Sequence, residues 1–70
     1  QNKVIIEFTG TENKNEAIVI TSVSGTKVWS SSVNSHAGYN KSNIILPSTL
    51  GSGLYMLQVG SRTPVKFVKQ

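Results

Sequence analysis

The segment Leu50–Gln70, LGSGLYMLQVGSRTPVKFVKQ, sets the reading of the whole chain. Gly51 and Gly53 stand just ahead of Leu54–Val59, an apolar and aromatic run interrupted only by Gln58. Glycine reaches backbone angles that other residues resist, so the pair predicts a turn that feeds a strand. Gly60-Ser61-Arg62-Thr63-Pro64 is a dense reversal signal. Beyond it, Val65 and Phe67 alternate with Lys66 and Val68, which is the period of a strand. The segment therefore predicts a terminal strand paired into the fold, at a place where domains are commonly least ordered.

Working outward from that segment, Val4, Ile6 and Phe8 alternate with Lys3, Ile5 and Glu7, a half-buried strand. Thr9–Asn15 is a polar turn or loop. Ala17–Val23 is the most β-branched stretch, with Ile18 and Ile20 on one face and Val19 and Val23 on the other. Apolar residues on both faces predict a central strand. Ser24-Gly25 marks a hairpin turn into Thr26–Ser31, where Val28 takes one face and Lys27 and Trp29 the other. Ser32–Lys41 reads as a long polar loop with room for a short strand near Val33. Asn43–Leu46 is a short strand ended by Pro47, which lacks the amide hydrogen a ladder needs. Pro47–Leu50 has the makings of one helical turn. Six or seven short strands separated by turn signals predict an all-β sandwich of antiparallel strands. Its expected core is Val4, Ile6, Phe8, Ile18, Ile20, Val28, Ile44, Leu46, Tyr55, Leu57, Val59, Val65 and Phe67.

The 70 residues fit a single domain, 1–70. A chain this short buries only about 60% of its unfolded surface, so its stability is marginal. It has no cysteine, hence no disulfide or thiolate metal site. The net charge of +4 comes from Lys3, Lys14, Lys27, Lys41, Arg62, Lys66 and Lys69 against Glu7, Glu12 and Glu16. The basic residues are scattered, which fits a solvated positive surface and not a nucleic-acid site. No apolar run approaches the ~20 residues of a membrane-spanning helix. The chain opens on Gln1 with no visible signal peptide, as expected of a piece cut from a longer protein.

Catalytic chemistry lacks its parts. His36 is the single histidine, there is no Asp or Cys, and no motif places Glu7, Glu12 or Glu16 beside it. One histidine and dispersed carboxylates make no closed metal site. No glycine pattern precedes a helix to cradle phosphate, so no cofactor is expected. Trp29 either covers a sheet edge or offers a flat ring to a sugar, and Tyr55 belongs to the core with its hydroxyl reaching a loop. The terminal strand carries the remaining functional reading. An edge strand offers unpaired amide and carbonyl groups that another chain can pair with, and Lys66 and Lys69 could meet acidic groups there.

Three motifs, taken in order, resemble a known family. They are Val23-Ser24-Gly25-Thr26-Lys27-Val28, then Leu50-Gly51-Ser52-Gly53-Leu54-Tyr55, then Lys66-Phe67-Val68-Lys69. Together they are similar to the C-terminal sorting domains (type A) of type IX secretion substrates in Bacteroidetes. The Asn-Pro segment that often precedes the family's first strand is not among these residues. The resemblance implies a small immunoglobulin-like β-sandwich that is not an enzyme. It implies export of a cargo domain, upstream in the same chain, through the periplasm to the cell surface. It further implies recognition by the outer-membrane translocon, and removal by a sortase-like cysteine protease. The residues it singles out are Gly25, Gly53, Tyr55, Lys66, Phe67, Val68 and Lys69. Edge strands also leave room for a homodimer. The competing expectation is a carbohydrate-binding or adhesion module with Trp29 as its contact, and a third is a purely structural spacer.

Overall fold

Alternating apolar residues produce six strands in the computed structural model, which describes residues 3–69. In chain order they are β1 (Lys3–Gly10), β2 (Lys14–Ser22), β3 (Lys27–Ser35), β4 (Gly38–Ile45), β5 (Gly53–Val59) and β6 (Val65–Lys69). All pairings are antiparallel. β1 and β4 form one sheet, and the other has the order β3-β2-β5-β6. The fold is a small all-β sandwich, at the lower of the two strand counts expected.

Each strand turns alternate residues inward. Ile6, Ile18, Ile20, Ile44, Leu46, Leu50, Leu57 and Val59 form the buried core, with Val4, Phe8, Trp29, Val33, Tyr55 and Phe67 half-buried against it. Ile18 and Ile20 are 0% exposed. They sit opposite Val59 and Leu57 of β5, so the expected central strand is central. The Ser24-Gly25 turn also forms: the Ser22 amide donates to the Thr26 carbonyl at 2.8 Å, and the Gly25 amide to the Ser22 carbonyl at 2.9 Å.

Several expectations are corrected. Val28 is 40% exposed and Trp29 packs on the core in its place. The cause is a bulge: Ile20 pairs with Trp29 but Thr21 with Lys27, so Val28 is the extra residue. Val65 is 63% exposed, because two strands cannot cover the inner face of four. Leu50 joins the core from the turn after β4. The Leu50 amide donates to the Pro47 carbonyl at 3.1 Å, a turn without a helix. Ser32–Lys41 is not a long loop, since β3 runs to Ser35 and β4 starts at Gly38. Asn40 closes that hairpin: its side-chain amide donates to the His36 and Gly38 carbonyls at 2.9 and 3.0 Å, and its oxygen accepts the His36 amide at 3.0 Å. Across β1 and β4 the Tyr39 hydroxyl donates to Glu7 at 2.9 Å, which raises the pKa of that phenol.

Ile18 is 0% exposed, so replacing it by Ala deletes fully buried methyl groups, at a cost of about 2–5 kcal/mol. That is a large share of what a small domain has. The urea midpoint of Ile18→Ala is expected to fall steeply at an unchanged slope.

Candidate functional site

Six of the seven residues singled out by sequence, all but Gly25, lie on the β5–β6 hairpin. Gly53 pairs with Lys69, Leu54 with Val68, Tyr55 with Phe67, and Met56 with Lys66. The glycine-aromatic motif and the terminal motif are therefore two sides of one ladder. Gly53 opens β5 at a φ of 151°. The Tyr55 and Phe67 rings stack with centroids 5.9 Å apart, and the Tyr55 hydroxyl donates to the Gly51 carbonyl at 2.7 Å. That is the loop contact expected of Tyr55. Gly25, at a φ of 92°, lies in the β2–β3 turn beyond Ser22, which pairs with Tyr55. Register thus puts the third motif at the same end of the sheet.

Among the described residues β6 is an edge, hydrogen-bonded to β5 alone. Its outward residues Lys66 and Val68 are exposed, Val68 by 65%. Phe67 is half-buried, and Lys69 is only 7% exposed. Of the two terminal lysines, Lys66 is therefore the one presented outward. Gln70 lies outside the described residues.

Beside β6 runs an open apolar groove of about 550 Å³, lined by Leu57, Val59, Val65 and Phe67 below and Val4–Phe8 along one wall. Side chains alternate along a strand, so five consecutive residues can border a groove only through the strand's edge. The wall is the edge of β1 that β4 leaves free.

An ion pair closes the groove's far end. Arg62, in the β5–β6 turn, donates from Nη1 to Glu16 Oε1 at 2.7 Å and from Nη2 to the Thr9 carbonyl at 3.0 Å. Its guanidinium lies 4.5 Å from the centroid of the Phe8 ring. Glu16 is buried, and Ser35 Oγ donates to its other oxygen at 3.2 Å. Gly60 makes the approach possible. It sits at a φ of 58°, and a Cβ there would overlap Glu16 Oε1. The Arg62 hydrogen bond, ahead of the opposing effect of burial, holds the Glu16 carboxyl below its ordinary pKa.

The remaining candidates are occupied otherwise. His36 Nδ1 is 2.9 Å from the Ala37 carbonyl oxygen, Glu7 accepts from Tyr39, and Glu12 faces Lys14 at 4.0 Å. Trp29 is turned against the core.

The whole chain, residues 1–70, matches the family model described as the secretion system C-terminal sorting domain. The chain belongs to that family. Among curated proteins and among solved structures, none matches it. This sorting domain is thus the C-terminal signal for type IX secretion, and its route ends at the cell surface or in the medium. Bacteroidetes and their outer membrane follow from the family. A sorting domain implies a cargo protein upstream and handling by the type IX machinery. The family is not an enzymatic one, and the match does not favour a carbohydrate-binding module.

Sequence reasoning missed the Glu16–Arg62 pair. A usable signal was present, because Glu16 shares the inward alternation of Ile18 and Ile20. A carboxylate on that face needs a partner. A carboxyl whose folded pKa lies below its unfolded value adds stability above the unfolded pKa, and this is lost as pH falls through the folded one. The melting temperature of the sorting domain is therefore expected to drop through the acid carboxylate range. In Glu16→Gln that part of the drop is expected to disappear, which thermal melts across pH measure directly.

Proposed function

We propose that the type IX machinery reads β6 as a folded edge strand. A strand of the receptor pairs with its free side and places alternate side chains over Val65 and Phe67 in the groove. Lys66 and Val68 form the outward part of the signal. Gly53 and Tyr55 position it from β5, Lys69 anchors its end opposite Gly53, and Gly25 shapes the supporting turn. The observation that carries this reading is the edge position of β6, with the terminal motif on a strand bonded on one side only. Main-chain bonds supply affinity in such recognition, and alternate side chains supply specificity.

In this reading the parent protein crosses the periplasm before the outer-membrane translocon engages its sorting domain. A sortase-like cysteine protease then removes the domain and joins the cargo to anionic lipopolysaccharide. The same free edges support transient pairing of two copies into a homodimer.

The test is a fluorescent reporter fused to residues 1–70 with the parent's own linker, expressed in a bacterium competent for type IX secretion. Deleting Lys66–Gln70 is expected to leave the reporter in the periplasm. Surface delivery of the truncated fusion would show that the signal lies elsewhere.

A further inference from the structure

Among the described residues, β5 is the single strand that β6 is bonded to. Five paired residues fix its register. The turn at Gly60–Pro64 ties the hairpin to the rest of the fold. The Gly60 amide donates to the Ala17 carbonyl at 2.7 Å, and Gln58 donates from its side chain to the Arg62 carbonyl at 2.8 Å. Both bonds stay within the four-stranded sheet. Arg62 alone among these groups reaches across: one nitrogen binds Glu16 of β2, and the other binds Thr9 of β1 in the opposite sheet. Phe8 supplies a second contact on β1.

We infer that Arg62 is a positioning residue for export, because its guanidinium forks between Glu16 and Thr9 and so fixes β6 relative to the free edge of β1. The inference rests on β6 being the signal. A receptor strand that enters the groove must fit between β6 and β1, so the separation of those two edges decides whether it fits. Arg62 is also a lining residue of that groove. Lysine substitutes only in part. Its ammonium is a point charge on a flexible stem, whereas the guanidinium is a rigid plane that bonds in two directions and stacks on an aromatic ring.

The parent protein is compared with its Arg62→Met, Arg62→Lys and Gln58→Ala forms. Two quantities are read: amide exchange along Val65–Lys69 against that of the β2–β5 ladder, and surface delivery per folded molecule. In Arg62→Met, exchange in β6 is expected to rise ~10-fold or more relative to the ladder, as in local opening. Delivery is expected to fall in step. Arg62→Lys should show the same pattern in weaker form, and Gln58→Ala should lie close to the parent. Should Arg62→Met not fold, Arg62→Lys carries the decision.

A uniform rise in exchange with unchanged delivery per folded molecule makes the pair merely structural and overturns the inference. Local opening of β6 with normal delivery overturns it as well. The truncation described above separates the two ideas. Delivery without Lys66–Gln70 defeats the reading of β6 as signal, whereas failed delivery there with normal delivery in folded Arg62 variants defeats only the positioning role.

Discussion

The pairing of β2 with β5 holds the molecule together. Ile18 meets Val59 and Ile20 meets Leu57, and all four are buried on the same face. This ladder joins two local hairpins, β2–β3 and β5–β6, into one sheet. Neither hairpin would be more than marginally stable alone in water. A slip of β2 by one residue in the joint would turn Val19 and Thr21 inward and carry Ile18 and Ile20 to the opposite face. The register is therefore strongly determined, and β6 inherits it through β5.

The second constraint is unequal width. β1 and β4 cover the middle of the larger sheet, where β2 and β5 carry the most buried residues. The flanking strands are left partly bare. β3 fills its inner face with serines, one half-buried valine and Trp29. β6 keeps Val65 and Phe67 against an open groove. Exposed edges and grooves of this kind invite pairing with other chains, and proteins usually blunt them. Lys66 on the outward face of β6 is such a device. On the proposed reading of β6 as the signal, this incompletely blunted edge is a functional feature more than a defect.

How much of this was legible follows from which residues carried it. The terminal strand, the Gly25 hairpin and the centrality of β2 were visible because apolar periodicity and turn chemistry are local. The second half of β3 and the first half of β4 were hidden by composition, although strands at Thr26–Ser31 and Asn43–Leu46 were visible. Their inward positions include Ser35 and Asn40, polar residues whose bonds to Glu16, the Lys14 carbonyl and the His36 turn exist only in the folded chain. The bulge at Val28 shifts a face by one position, and nothing in Lys27-Val28-Trp29 announces it. Leu50 was read as part of a turn because it lies in no strand. Arg62 looked like one polar residue in a reversal cluster. Its partner is 46 positions earlier in the chain, beyond the reach of any local pattern.

These points bear on what sort of signal the domain carries. A linear motif at a chain end could be read from an unfolded tail, and its context would not matter. Here the terminal motif is half of a ladder whose other half is the glycine-aromatic motif. The turn between them is tied to β2 and β1 by one guanidinium. Side chains on the outward and inward faces of β6 are sorted only once β5 has docked on β2. The faces of the last strand thus depend on a non-local pairing, of a kind slower to form than a hairpin. A receptor that depends on those faces rejects unfolded and half-folded cargo-bearing chains without any separate check. On the proposed reading of β6, folding of the sorting domain then becomes a condition for export, and one that responds to changes in its core.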